Sequence, residues 1–332
     1  MRTSIAMCTY NGAQYLQKQL DSIASQTNPP YELVVCDDGS TDATLALIER
    51  FARKATFPIR IFKNERNLGS TKNFEKAISI CSGDLIALSD QDDEWYPDKL
   101  AKMHRLFEAL PETLAAFSNA DIIDDDSAFD GRKLWRSIGV DFSSGENVPY
   151  VHTGMVSSLL KLDYIATGAT MVFQSELRGQ FIPIPASWPH DAWIAWIAAL
   201  RDGLAAFPGA TIRYRVHARQ QIGVAPPSLV DKLEIAQKDA VIFRLMANRL
   251  KDLQLYLQQH RDDQQLAKFL PDVNAKIQHL EDRASLTGSI LHRTLWILRS
   301  WREYQRYTRG PKAMVIDAFI VSGENSVQEL GH

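Results

Sequence analysis

The sequence predicts an α/β fold: a mainly parallel sheet flanked by helices, followed by an all-helical C-terminal extension. Three observations lead there. Short apolar, β-branched runs alternate with amphipathic helical segments through the first half of the 332 residues. Polar, turn-forming clusters stand at the ends of those runs. Past Pro226-Pro227 the strand signals stop and apolar residues recur only at steps of three and four.

The elements follow in order. Residues 4–8 form a short apolar strand. Residues 13–25 carry Leu16, Leu20 and Ile23 at helical spacing after the turn pair Asn11-Gly12. ELVVC at 32–36 is β-branched and ends in Asp37-Asp38-Gly39-Ser40. A cap-like Ser-Thr-Asp then opens a helix over 41–51. A strand at 59–62, a helix at 72–81 and a strand at 85–89 come next, the last running into Asp90-Gln91-Asp92-Asp93. Pro97 starts a helix whose one face holds Leu100, Met103, Leu106, Phe107 and Leu110. Beyond it lie a strand at 114–118, an acidic turn at 121–126, an apolar stretch at 166–173, a helix at 191–200 and a strand at 211–216. Long helices are expected over 229–257, 263–283 and 286–307. The proline pair sets the boundary between residues 1–225 and 226–332.

Composition narrows the function. The 37 Lys+Arg against 40 Asp+Glu leave a net charge of −3. That balance argues against a nucleic-acid partner, since phosphate binding normally leaves a basic excess. Cys8, Cys36 and Cys81 sit in apolar runs without CxxC spacing, which reads as buried thiols in a reducing compartment and excludes a cysteine-based zinc site. The N-terminus lacks a signal-peptide core, and no apolar run reaches the roughly 18 residues of a membrane span. The expected location is cytoplasmic.

In a parallel α/β sheet, ligands bind beyond the carboxyl ends of the strands. Three polar clusters fall there: Thr9-Tyr10-Asn11-Gly12, Asp37 to Ser40, and Asp90-Gln91-Asp92. Carboxylates gathered at one edge repel one another and call for a cation. Asp-x-Asp on a turn suits Mg²⁺ or Mn²⁺, hard ions that take oxygen ligands and bridge to phosphate. Asp is also simply common in turns, but three such clusters in the expected order outweigh that explanation.

CTYNG (Cys8–Gly12), VVCDDGSTD (Val34–Asp42), RNLGSTKNF (Arg66–Phe74), LSDQDDEW (Leu88–Trp95) and HDAW (His190–Trp193) together resemble the family 2 glycosyltransferases, over residues 1–223. The SDQDDEWYPDKL wording is most similar to the bacterial branch described as rhamnosyltransferases of O-antigen and other surface-polysaccharide synthesis. The resemblance implies the GT-A nucleotide-diphospho-sugar transferase fold and an inverting transfer from a nucleotide-sugar donor, with Mn²⁺ or Mg²⁺. It further implies rhamnose from dTDP-rhamnose as the sugar, and a glycan or lipid-linked acceptor.

The implied roles map residue by residue. Thr9 and Asp38, with Asp37, Tyr10 and Asn11 beside them, match positions that hold the nucleobase and ribose. Asn67 and Lys72 lie in the segment that closes over the nucleotide, where Lys72 can meet the diphosphate. Asp90 and Asp92 match the DxD, Asp92 as the direct metal ligand and Asp90 on the nucleotide side. Asp191 matches the catalytic base that takes the acceptor proton. His190 lies with it on the acceptor side, and Trp95 and Trp193 are expected as apolar walls for sugar rings. His217 is either a further metal or diphosphate ligand or a structural histidine. Arg213, Arg215 and Arg219 serve the diphosphate or lie on a solvent face. The run Asp124 to Asp126 reads as a solvated turn.

Residues 284–313 carry six basic side chains and one acidic one, Glu303, interleaved with Trp296, Ile297, Trp301, Tyr304 and Tyr307. This suits either the anionic cytoplasmic face of the inner membrane or a partner subunit, including a second copy. Two rival functions remain. A sugar nucleotidyltransferase would share the sheet but carries a Gly-rich basic loop where TYNG stands here. A non-catalytic sugar-nucleotide-binding protein would be expected to have lost Asp92 or Asp191, and both are present.

Overall fold

The computed structural model describes residues 1–140, 142, 154–217 and 239–319. The chain divides into two compact units, one of Met1–Met155 with Ile165–Ala225, the other of Val156–Tyr164 with Pro226–His332. The short segment 156–164 thus groups with the helical residues, a detour that no composition signal announces.

The first unit runs β1 (Thr3–Thr9), α1 (Leu16–Ala24), β2 (Glu32–Asp37), α2 (Thr44–Ala52), β3 (Ile59–Lys63), α3 (Ser70–Ile80), β4 (Leu85–Ser89), β5 (Glu94–Trp95) and α4 (Lys99–Ala109). Then come β6 (Ala115–Ile123), β7 (Phe129–Lys133), α5 (Leu134–Ile138), β8 (Val172–Gln174), α7 (Arg178–Phe181), α8 (His190–Leu200) and β9 (Leu204–Arg215); α6 (Met155–Leu162) precedes β8 in the chain but groups, from Val156 on, with the second unit. The sheet order is β3-β2-β1-β4-β8-β6-β9-β5, with β7 on the side of β6. β1, β2 and β4 are buried along their whole length, as their unbroken apolar runs require for strands covered on both faces.

The parallel sheet expected from the sequence is confined to β3-β2-β1-β4 and the β6/β9 pair. β8 joins β4 and β6 antiparallel, and β5 lies antiparallel on β9, so the sheet is mixed. The chain passes from β1 to β2 on one side and returns to β4 on the other. This reversal falls at the carboxyl ends of β1 and β4, the usual ligand position in such sheets.

Two strands outrun their expected bounds. β6 continues through Asp121 to Ile123, so only Asp124–Asp126 remain as the acidic turn. β9 starts at Leu204, because pairing skips from Phe207 opposite Ser118 to Ala210 opposite Asn119. Pro208-Gly209 bulges out of the ladder and conceals the first half of the strand in the sequence. All eleven residues of α8 are buried, which its apolar circumference (HDAWIAWIAAL) demands.

In the second unit, α9 (Asp239–Gln259) pairs with α11 (Leu270–Ala284), and the four-residue α10 (Gln264–Ala267) joins them. Residues 229–238 of the expected helix lie outside the described residues. The helix expected over 286–307 is broken at Ser300 into α12 (Ile290–Arg299) and α13 (Trp301–Tyr307), and α14 (Pro311–Phe319) follows with Pro at its start. Leu286, Ile297, Tyr304 and Met314 form a small core with half-buried Trp296. Buried charges stitch it together. Arg283 pairs with Asp317 at 2.7 and 3.0 Å, Lys276 bonds Asp163 at 3.1 Å and the Tyr307 carbonyl at 2.6 Å, and Arg293 donates to the carbonyls of Ala318 and Gly288. Among the described residues no helix is long and apolar enough to cross a membrane.

Candidate active site

The carboxyl ends of β1, β2 and β4 deliver the three polar clusters to one edge, and short hydrogen bonds lock them together. Gln91 is the bridge between the first and third. Its side chain accepts from the Tyr10 amide at 2.9 Å and donates to the Tyr10 carbonyl at 3.1 Å. Gly12 lets it approach: a Cβ there would stand 2.1 Å from Gln91 Oε1. Asn11, at a positive φ of 48°, takes its amide to Ser40 Oγ and accepts from the Thr41 amide, both at 2.9 Å. Tyr10 and Asn11 are exposed at the rim, as a donor contact requires.

Asp37 and Asp38 are both held by hydrogen bonds within the unit. The Asp37 carboxylate is fully buried and takes bonds from Thr9 Oγ1 (2.9 Å), Ser40 Oγ (2.5 Å) and the amides of Gly39 and Ser40. It shapes the turn, with Thr9 as its support. Asp38 is also buried; its carboxylate accepts from Asn64 Nδ2 (2.7 Å) and from the amides of Leu68 (2.8 Å) and Gly69 (2.9 Å). This anchors the 64–69 loop, where Asn67 lies exposed at the surface and donates to the Asp38 carbonyl. Lys72 donates to Glu75 (2.8 Å) and to the Ile184 carbonyl (2.8 Å).

The acidic turn after β4 gathers several titratable side chains. Asp92 Oδ2 lies 2.9 Å from His217 Nε2, so His217, left open by the sequence, joins the DxD. Asp90 is half-buried, and burial, then the charges of Asp92 and Asp191, push its carboxyl up to about 7. Burial first, then Asp92 and Asp90, raise Asp93 well above the carboxylate range. Asp93 accepts from the Arg215 amide at 2.9 Å. Beneath the cluster, burial lowers Lys99 to about 7 against the pull of Asp93 and Asp90; its ammonium sits 3.7 Å over the Trp95 ring and bonds the Ala169 carbonyl.

Arg215 is the clamp that sequence reasoning missed. Fully buried, it donates to the Asp92 carbonyl (2.7 Å), the Asp124 carbonyl (2.6 Å), Glu94 Oε1 (2.6 Å) and Ser127 Oγ (3.0 Å). Its guanidinium also lies 4.8 Å over the Tyr15 ring, which in turn rests 4.9 Å from His217. Arg213 joins Glu94 at 2.6 Å. Both arginines are thus committed to the turn and unavailable to a diphosphate, while Arg219 lies outside the described residues. The acidic turn is exposed but engaged, because Asp125 accepts a short hydrogen bond from the Tyr15 hydroxyl. Alternation along a strand reveals which residues share a face, but not that 124–127 folds back over β9, so this network had no linear signal.

Asp191 opens α8 and is nearly buried. Oδ2 accepts from the Gly168 amide at 2.7 Å and Oδ1 from its own helix at the Ala192 amide. His190 stacks on Phe74 at 4.0 Å, and burial lowers its pKa, keeping the imidazole neutral. Trp95 and Trp193 are core residues rather than walls of a sugar site: each is 3% exposed, and the Trp193 indole donates to the Phe181 carbonyl.

Among the described residues no three His, Cys, Asp or Glu side chains gather as a metal cage. A divalent ion that keeps waters and substrate phosphates needs only one or two protein ligands. The Asp92–His217 pair fits that requirement, since ligands on neighbouring vertices of an octahedron with bonds of about 2.1 Å stand about 3 Å apart.

Relatives and solved structures agree with this architecture. An uncharacterized glycosyltransferase of Haemophilus influenzae is 28% identical over 225 residues, 67% of each chain. An uncharacterized protein of Mycobacterium tuberculosis is 30% identical over 218 residues, 65% of this chain; the chain spans 59% of that relative's length. Staphylococcus aureus TarS 1–349, solved in complex with UDP-GlcNAc, superposes with a TM-score of 0.55 at 20% identity, covering 96% of this chain and 90% of TarS 1–349. The fold is therefore of the GT-A kind. The profile described as Glycosyl transferase family 2 matches residues 4–174, more than half of the chain, and the chain belongs to that family.

Proposed function

We propose that this chain is a metal-dependent, inverting glycosyltransferase. In this reading it moves a hexose from a nucleotide-diphosphate donor to a hydroxyl of a growing surface polysaccharide or lipid-linked glycan. The observation that carries the reading is the Asp92–His217 pair, 2.9 Å apart on the DxD turn after β4, with Asp191 held by the Gly168 amide at 2.7 Å. The rhamnosyl donor rests on the SDQDDEWYPDKL wording alone. Residues 1–225 make up the catalytic domain, and 226–332 the part that associates with a membrane or partner at the cytoplasmic face.

Tyr10, Asn11 and Asn67 present exposed polar groups around the donor's base and ribose, on loops braced by Asp37 and Asp38. Asp92 and His217 hold Mn²⁺ or Mg²⁺, which when bound stabilises charge on the leaving diphosphate. Arg215 holds the Asp92 backbone so that its carboxylate keeps one direction. Asp191, fixed by the Gly168 amide, accepts the proton of the attacking hydroxyl. Attack and departure lie on opposite faces of the anomeric carbon, so one base suffices and the configuration inverts.

The test is a hydrolysis screen of nucleotide sugars, dTDP-rhamnose and UDP-GlcNAc among them, with Mn²⁺ or Mg²⁺. Hydrolysis of at least one donor is expected, and its loss in Asp92→Ala. Full turnover in that variant would sink the metal assignment.

A further inference from the structure

The helical unit turns its sequence pattern inside out. Tyr304, Tyr307 and Arg293, expected at a membrane or a partner subunit, are buried in its core, and Trp296 is half-buried beside them. A different set of side chains faces outward on α12. Leu291 is 71% exposed, Leu298 59%, Ile290 52% and Leu295 48%, and Trp301 follows at 48% on the next helix.

Their spacing makes them one surface. At about 100° per residue, Ile290, Leu291, Leu295 and Leu298 fall within an arc of about 140°. Buried Arg293 and Ile297 occupy the neighbouring arc, and exposed Arg299 and His292 lie just beyond its far edge. Arg302, Arg309 and Lys312 are exposed on the segments that follow, and Glu303 is the single acid between 284 and 313. Four large aliphatic side chains in water on a helix of ten residues are not explained by folding of the unit, since Ile297 and its neighbours already supply the inward face.

We propose that this α12 face is a membrane-docking surface that lies on anionic lipid, with the leucines among the acyl chains and Trp301 and the arginines at the headgroups. The inference builds on the proposed transferase function, in which an acceptor carried on lipid would be met at that surface. Charge selects lipid over a second copy. A twofold pairing of this face would bring two surfaces of like positive charge together, whereas phosphatidylglycerol or a similar headgroup neutralises that charge.

Co-sedimentation with vesicles tests it on the full chain. The protein should pellet with vesicles of phosphatidylcholine mixed with phosphatidylglycerol, not with phosphatidylcholine alone, and less as salt rises. Leu291→Glu/Leu298→Glu should cut the bound fraction about tenfold or more while Leu255→Glu, an exposed leucine on α9, leaves it unchanged. Binding that survives the double substitution overturns the proposal, as does protein that stays in the supernatant. So does a stable dimer that the double substitution dissociates, which would make the face an interface between copies. Donor hydrolysis measured without vesicles separates the two readings: its absence in a protein that still pellets removes the transferase function and leaves the surface standing.

Discussion

Replacing Arg215 by Met isolates what the clamp does. The side chain is fully buried and donates to five acceptors, on Asp92, Glu94, Asp124, Asp125 and Ser127. Breaking a buried ion pair by removing one partner costs about 3–5 kcal/mol, mainly through the stranded charge. Here Glu94 keeps Arg213 at 2.6 Å, so its charge is not stranded, and the Asp124 end of the turn reaches solvent. The loss falls at the lower end, about 3 kcal/mol. With a urea slope of about 2 kcal/mol/M the midpoint should drop by about 1–2 M. Tryptophan fluorescence reports the right unit, because five of the seven tryptophans (Trp95, Trp135, Trp188, Trp193, Trp196) lie in it. A second readout is specific to the clamp: with the Asp92 carbonyl released, the Mn²⁺ concentration for half-maximal donor hydrolysis should rise about tenfold or more. Arg215→Lys keeps charge but not the fork, and should fall between the two. A midpoint shift below about 0.3 M with an unchanged Mn²⁺ response would refute the reasoning.

Three further outcomes are expected. Asp191→Asn should lower kcat by about 10²–10⁴-fold with donor KM little changed, since the amide keeps the shape and loses the base; wild-type kcat would remove Asp191 from that role. Gly168→Ala places a Cβ 3.0 Å from His190 Nε2 and 3.2 Å from Asp191 Oδ2, so kcat should fall about 10–100-fold through displacement of Asp191; unchanged kinetics would show that the 168–170 turn yields without moving it. Burial, then Arg283 and Lys276, lower His279 from its ordinary value to about 3. A depressed folded pKa contributes stability that is present above the unfolded value of about 6.5 and is lost as pH falls toward 3. Between pH 6.5 and 4.5, before most carboxylates titrate, the helical unit should therefore lose about 2–3 kcal/mol. His279→Gln should flatten that limb in urea titrations, and an identical slope would exclude His279 as its source.

The first half of the chain was readable because β1, β2 and β4 are buried on both faces and their turns are rich in Asp and Gly, so strand ends and ligand edge coincide with visible composition. The second half hid where tertiary contacts override local signals. Pro208-Gly209 reads as a turn and is a bulge within β9. Ser300 lies inside an unbroken periodic run, yet the helix stops there. Trp95 and Trp193 stand beside the motif residues in sequence but point into the core, because adjacency along a helix start or a two-residue strand says nothing about facing. Arg215 carried no signal apart from alternation, and only the fold of 124–127 over β9 shows what it holds.

The acidic edge divides into carboxylates that brace and carboxylates that remain available, and the division follows from bonding capacity. Asp37 and Asp38 each receive at least three donors from the segments around them, and Asp93 is held with its pKa raised against Arg215. Such groups keep turns in place. Asp92 shares one oxygen with His217, and Asp90 is raised to about 7 by burial and by its neighbours Asp92 and Asp191. A cation placed there relieves both the Asp90–Asp92 repulsion and the unfavourable burial of their charge. The braced group fixes backbone positions so that this relief occurs at one point in space, which is what stabilising a diphosphate leaving group in one direction requires. A sequence count of aspartates cannot make that distinction, because the two classes share residue type and turn context and differ only in which amides reach them.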